Sequence, residues 1–469
     1  MEKTPNMNDD KNRYDLVIKG GRVISFEPDE IRENVNVGII NGKIFNISTN
    51  ELPADKTIDA RGKYVCPGFI DFHSHISGRY FSAECAARQG ATTSISGERN
   101  FEGSLIRNII EHGFLINQGF YVSHSFTLRR AVGCRDINAP ATKAEIKDMK
   151  TLARQFFING AFGIHFGLEH TPGVSTEELI ELSSLAKEYN RVVLVHTRHD
   201  GNDALMQFSD VENIIKETNA SIHLLHLSFM IAFNNVIDQA LEIIHQMRDS
   251  GGDITADTGL YSSYPACLGS PLFDGNWHNR YARPDKEFSE ENVLIASGLS
   301  AGEYFTKERF LHMREKYPST LIAVFACDEP AIKKIVTEPY VFISSNAADG
   351  PHYEGAGHPA SAGTFPKLIR KYVREDKELT LLDAIYKLTW GPAKRLHLTD
   401  KGNLKEGYDG DIVIFDYDKI YDMADYPGLG DPNASPKGIE YVIVNGKVIC
   451  EFGDIKSNSH NGQLLRCIM

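Results

Sequence analysis

Two apolar runs that each close on a histidine, Arg191–His196 and Ser221–His226, constrain the fold of this chain most tightly. Their histidines stand thirty residues apart. Between the runs lies Ala204–Glu217, where apolar residues recur at helical spacing. A strand, a helix and a strand fill that interval, which suits one parallel crossover. The alternation extends from about Gly68 to Leu398. Thr176–Leu182 opens another helix, with Ser175 or Thr176 as N-cap and acids in its first turn. Repeated β-α units mean parallel strands, hence a doubly wound sheet or a (β/α)8 barrel.

The two ends of the chain read differently. Tyr14–Pro67 is β-like, cut by turn signals at Gly20-Gly21, Asn41-Gly42 and Arg61-Gly62. Near the far end, Asp411–Phe415 and Tyr441–Ile449 are compact apolar runs. Val444-Asn445-Gly446-Lys447-Val448 there parallels Ile40-Asn41-Gly42-Lys43-Ile44. The simplest arrangement pairs both ends into one small sheet domain; two unrelated hairpins are the alternative. The expected division is 1–67, 68–398 and 399–469. Within the middle part, the stretch 265–320 is rich in Phe, Tyr, Arg and Gly and reads as an insertion that covers the site.

Composition narrows the partners. Hydrophobic residues make up 42% of the chain, enough for a sizeable core. A net charge of −13 argues against a nucleic-acid backbone binder and against an anionic membrane surface. The seven cysteines are scattered, with no Cys-x-x-Cys pair, as in a reducing compartment. Met1–Arg13 lacks the apolar core of a signal peptide, and no run approaches the ~18 apolar residues of a membrane span. The expectation is a cytoplasmic protein with a small-molecule partner, no nucleic acid and no membrane. Homo-oligomerisation is left open, because an acid-rich surface says nothing about it.

The chemistry gathers at the ends of the apolar runs. In Gly68-Phe-Ile-Asp71-Phe-His73-Ser-His75 the two histidines are two apart, so a strand turns both imidazoles to one face. His196 and His226 each end a run and share one rim of a parallel sheet. Asp349 follows the run Tyr340–Ile343. Histidines at several strand ends are poorly explained by core packing, since each imidazole must be desolvated and satisfied there. Imidazoles with a carboxylate suit zinc or a similar divalent ion and leave a position open for water.

These motifs, with Gly160–Gly173, His196-Thr-Arg198, His226-Leu-Ser228, His358–Pro366, Thr389–Ala393 and Gly410–Asp416, resemble the amidohydrolase superfamily, and within it the D-aminoacylase (N-acyl-D-amino-acid deacylase) group. The resemblance covers nearly the whole chain. It implies an α/β fold: a (β/α)8 TIM-like barrel with a small β-sandwich domain formed from both chain termini. It also implies one or two divalent ions, Zn2+ by preference, held by His73, His75, His196 and His226. Asp349 would be the catalytic proton shuttle, with His124 as a candidate donor to the oxyanion.

Departures from the family pattern matter too. Where the family carries a metal-binding cysteine after the second strand, this chain has Ser96-Gly97-Glu98-Arg99, so Glu98 is the candidate replacement ligand. No lysine lies in Gly163–Thr171 for a carboxylated bridge of the hydantoinase kind. Ser228 stands where a lysine is expected and Ala360 where an arginine is expected. Arg198, Arg129, Arg130, His165 and His170 are available to hold a substrate carboxylate instead, with Arg198 preferred, and Tyr261 is a candidate pocket residue. The leading expectation is metal-dependent hydrolysis of an N-acyl-D-amino acid. The alternatives are a cyclic-amide hydrolase, a deaminase and a non-catalytic scaffold.

Overall fold

The computed structural model describes residues 13–76, 80–97, 113–233, 235–282, 287–347, 355–457 and 459–468. Three parallel strands, Phe69–Ser74, Ala91–Ser96 and Asn117–Phe120, form one sheet in chain order. Six more form a second parallel sheet: Val122–Ser123, Gly163–Gly167, Val192–His196, Ile222–Leu224, Ile254–Thr258 and Val341–Ile343. Only Tyr121 separates Phe120 from Val122, and its N–H donates to the Ser96 carbonyl at 2.9 Å. One sheet thus runs on into the other.

The free edges of the two sheets also meet. His75 N–H donates to the Ala347 carbonyl at 3.0 Å and Asn346 N–H to the His73 carbonyl at 3.1 Å. Buried Asp71 reinforces this seam, accepting from Ser345 N–H at 3.0 Å and from the Ser345 hydroxyl at 2.5 Å. Burial lifts the Asp71 carboxyl to about 7 although both Ser345 bonds pull it down.

Helices pack outside the parallel strands through their apolar faces. Thr176–Glu188 is one of them; the Ser175 hydroxyl caps it by accepting from Glu178 N–H at 3.2 Å. The helix expected over Ala204–Glu217 is α-helical from Phe208 to Thr218, while Gly201–Gln207 is a 3₁₀ turn. The difference has a tertiary cause. Asn202 Nδ2 donates to the carbonyls of Asn279 and Ala282, which ties this turn to the stretch 265–320. That stretch supplies Val293–Ile295, which with Tyr264–Cys267 flanks Leu321–Val324 in a separate antiparallel sheet.

Strands from both chain ends share a nine-stranded sheet. Tyr64–Pro67 pairs antiparallel with Ile412–Phe415, so the sheet joins residues far apart in sequence. Its own core includes Ile18, Val37, Ile39, Ile412, Ile414 and Ile443. The two similar Asn-Gly segments are both tight turns, with φ of 51° and 80° at Asn41-Gly42 and 48° and 75° at Asn445-Gly446. They lie against each other: Gly410 N–H donates to the Gly42 carbonyl at 2.7 Å and Gly446 N–H to the Gly410 carbonyl at 2.9 Å. A Cβ on Gly42 would stand 2.8 Å from the Asn445 carbonyl oxygen, so this contact requires glycine. Among the described residues, no helix is long and apolar enough to cross a membrane.

Candidate metal centre

The histidines that end the apolar runs converge. His73 lies in the strand Phe69–Ser74, His75 just past it, His196 closes Val192–His196, and His226 follows Ile222–Leu224. The His73 ring is 5.0 Å from that of His75 and 5.3 Å from that of His226, centre to centre. His226 is 4.4 Å from His196. All four are buried. Parallel strands explain the meeting: equal register along the sheet brings every strand end to the same rim.

Carboxylates surround these rings. Glu169 Oε1 is 2.9 Å from His196 Nδ1, and Asp200 Oδ1 is 2.9 Å from His196 Nε2. Burial alone would lower the His196 pKa, but the two carboxylates outweigh it and hold it well above the ordinary imidazole range. Ligation of a metal through either nitrogen displaces one of those carboxylates.

Asp257 is fully buried, with Oδ2 3.4 Å from His73 Nδ1. Its Oδ1 accepts the His226 backbone N–H in a short contact. That bond holds His226 at φ 28°, ψ 59°, a conformation non-glycine residues seldom adopt. Burial would raise the Asp257 pKa; His223 and His73 more than offset it, keeping the carboxylate charged. His223 itself is pushed down to about 4 by burial and remains neutral.

A cleft of about 690 Å³ opens above the rings. His75, His170, His196, His226, Glu169, Asp200 and Asn346 form its polar surface. Phe229 and Tyr264 with Pro265, Ala266 and Leu272 form an apolar wall, so the start of the stretch 265–320 faces the site. Asn346 Oδ1 lies 3.1 Å from His75 Nε2.

The other expected site residues take different places. His165 is buried beside His73, with ring centres 5.9 Å apart. Arg198 is held by its own surroundings: Nε to Asp210 at 2.8 Å, Nη1 to the Pro172 carbonyl at 2.6 Å and Nη2 to the Val174 carbonyl at 2.7 Å. Arg129 is buried and paired with Glu178 through Nη1 at 2.9 Å to both carboxylate oxygens. His124 meets the same carboxylate at 2.7 Å. Arg130 stacks over Phe126 at 5.1 Å.

Ser228 is fully buried, and Ala360 is buried at the start of the helix Ala360–Lys367. Tyr261 lies under Lys367, whose Nζ is 3.7 Å from the ring centre. None of Arg198, Arg129, His165, Tyr261 and Ser228 is among the described residues lining the cleft. Glu98 and Asp349 lie outside the described residues. Asp257, Glu169 and Asp200 were missed by the sequence reading. Asp257 carried a weak signal, since it stands near the end of the strand Ile254–Thr258, 31 residues after His226 and close to the 30-residue interval between His196 and His226.

Among the described residues, no three His, Cys, Asp or Glu side chains are already gathered around one point as a finished ligand shell. The donors nevertheless fit a divalent cation. Imidazole and carboxylate are the preferred zinc ligands, and the negative charge packed around His196 and His73 calls for a positive partner.

A family model described as "Amidohydrolase family" matches residues 351–450. N-acyl-D-glutamate deacylase of Alcaligenes xylosoxydans xylosoxydans is 28% identical, covering 97% of this chain and 97% of that protein. D-aminoacylase of the same organism is 26% identical, covering 97% and 98%. Over nearly its whole length the chain is thus similar to the D-aminoacylase group of amidohydrolases. The solved structure of N-acyl-D-glutamate deacylase from Bordetella bronchiseptica, complexed with zinc and a phosphonate inhibitor, superposes on this chain with a TM-score of 0.83. That likeness covers 97% of this chain and 100% of the other at 24% identity, and it concerns the fold.

Proposed function

We propose that this protein is a zinc-dependent deacylase of N-acyl-D-amino acids. It is a hydrolase of carbon–nitrogen bonds other than peptide bonds. The observation that carries the reading is the meeting of His73, His75, His196 and His226 on one rim beneath an open cleft. In this reading the two parallel sheets are a single closed (β/α)8 barrel spanning 68–398, with its insertion near 265–320. The segments 1–67 and 399–469 fold together as a β-sandwich. The seven free cysteines and the acidic balance support a cytoplasmic protein that binds neither nucleic acid nor membrane.

His73, His75, His196 and His226 would hold one or two zinc ions, with Glu98 as a further carboxylate ligand. Bound zinc lowers the pKa of water towards neutrality and polarises the scissile carbonyl. Asp349 takes the proton of the attacking water at its carboxylate and delivers it to the leaving amine nitrogen. Asp257 steadies His226 and His73 from behind, while Glu169 and Asp200 set the ring plane of His196. The wall formed by Phe229 and Tyr264 shields the reacting amide from bulk water. His165, deep beside His73, supports the floor. Arg198 and Arg129 act on the substrate indirectly, by fixing the segments they hold, and Ser228 and Tyr261 belong to the packing around the site.

The test is amine release by zinc-loaded protein from matched N-acetyl-D- and N-acetyl-L-amino acids, with cyclic amides alongside. Release from the D series is expected. Silence on that series with opening of a cyclic amide refutes the reading.

A further inference from the structure

A second cavity, of about 790 Å³, lies apart from the metal centre; none of its described lining residues lines the cleft. It forms where the end of the helix Ala360–Lys367 meets Tyr261 and the segment 421–426. Met423 and Ala424 give it apolar surface.

The charged groups around this cavity are committed to one another, with one exception. Arg370 Nε is 2.5 Å from Asp422 Oδ1, and its Nη1 is 2.7 Å from Glu375. Glu329 holds Lys371 at 3.3 Å. Asp425 accepts the Tyr426 backbone N–H at 2.8 Å. Lys367, by contrast, has neither an ion pair nor a hydrogen bond among the described residues. Its Nζ rests 3.7 Å from the centre of the Tyr261 ring. The residue is half-buried, and its amine stays open to water.

Lys387 shows what sets this amine apart. Burial brings both lysines down to about 8 from 10.5. At Lys367, Asp422 and Glu329 pull the other way, while Lys371 and Arg370 add to the fall. Lys387 is buried, however, and its amine donates to the Glu338 and Val341 carbonyls. Those bonds occupy the Lys387 nitrogen. The Lys367 nitrogen is free and faces an aromatic ring, which offers no hydrogen-bond acceptor oxygen.

We propose that Lys367 is a nucleophilic amine, the preferred acyl-accepting lysine of this chain, modified by small acyl thioesters that enter the cavity beside Tyr261. The neutral nitrogen attacks the thioester carbonyl carbon. A C–N bond forms, the C–S bond breaks, and the sulfur leaves as a thiol with the proton given up by the nitrogen. The product is an uncharged amide, which removes a half-buried ammonium that no carboxylate pairs.

The test treats the zinc-loaded protein with S-acetyl-N-acetylcysteamine, an uncharged acetyl thioester, and follows acetylation at each lysine by peptide mass spectrometry. At pH 7 an amine titrating near 8 is neutral about a hundredfold more often than an ordinary lysine. Lower basicity also lowers nucleophilicity, so Lys367 is expected to react about tenfold faster than exposed lysines. Its rate levels off above about pH 8, whereas theirs climbs to about pH 10. Lys387 stays unmodified, and Lys367→Arg abolishes the fast phase. The proposal is overturned if Lys367 reacts no faster than exposed lysines, if its rate climbs in parallel with theirs, if Lys387 reacts as fast, or if Lys367→Arg keeps the fast phase.

Discussion

Replacing Asp257 with Asn tests whether this buried carboxylate organises the histidine cluster. The substitution keeps size and shape and removes the charge. Asp257 accepts the backbone N–H of His226 and stands 3.4 Å from His73 Nδ1, so one group steadies two proposed ligands. A hydrogen bond to a charged acceptor contributes about 1.5–3 kcal/mol. The φ of 28° at His226 costs about 1–3 kcal/mol, so the Asp257 bond is of the size needed to hold it. The amide of the Asp257→Asn variant can still accept this N–H, but only through a neutral oxygen, so the bond weakens, and the lost charge also removes the electrostatic hold on His73; His226 is then freer to relax towards an ordinary backbone conformation. At about 1.4 kcal/mol per tenfold change, the lost interaction weakens zinc binding by about ten- to a hundredfold. The assay is competition for zinc against a chromophoric chelator, with far-UV circular dichroism to show that the apo fold is retained. A folded Asp257→Asn protein whose zinc affinity lies within about twofold of the wild type would refute the reasoning.

Three further outcomes are expected. Glu178→Gln leaves the buried Arg129 guanidinium without its counter-charge and should cost about 3–5 kcal/mol in urea unfolding. Burial raises the Glu178 pKa, but His124 and Arg129 together hold it below its ordinary 4.5, so its stabilisation is complete above that pH and lost as pH falls through the lowered value. A wild-type acid limb no steeper than that of Glu178→Gln contradicts this. Burial pushes Lys367 down to about 8 from 10.5, so the unfolded chain binds the extra proton between those values and wild-type stability rises with pH across that window. Lys367→Met should therefore be more stable by about 1–3 kcal/mol at pH 7, with the gain fading by pH 10 in guanidinium unfolding; an equal gain at both pH values counts against it. Finally, Arg198→Ala and Asp210→Ala should lower kcat/KM by similar factors, and the double variant by no more than either alone, because the pair acts as one brace. An Arg198→Ala loss with no counterpart in Asp210→Ala would return Arg198 to direct contact with substrate.

Much of the architecture is legible because its signals are local. The strand-helix-strand interval between His196 and His226 shows in hydrophobic period alone, and parallel pairing then follows from the length of the crossover. The Asn-Gly turns show in two residues each. His73 and His75 are legible as a pair because alternate strand positions share a face. Other parts were not legible. Arg198 and Arg129 look like free cations in sequence, yet each guanidinium is committed to groups brought near by folding. The first turn of the helix expected over Ala204–Glu217 is 3₁₀ because Asn202 is tied to residues far along the chain.

The division follows from the range of the forces. Backbone geometry and the period of apolar residues act over a few positions, so strands, helices, tight turns and the histidine-bearing strand ends are written in short stretches of sequence. Electrostatic environment depends on which side chains are packed together once water is excluded. Only the assembled fold could decide that Asp257 stands behind His73 and His226, that His196 lies between Glu169 and Asp200, and that Lys367 rests on the Tyr261 ring without an ion pair. Burial gives each of these contacts its strength, and burial is a property of the whole fold.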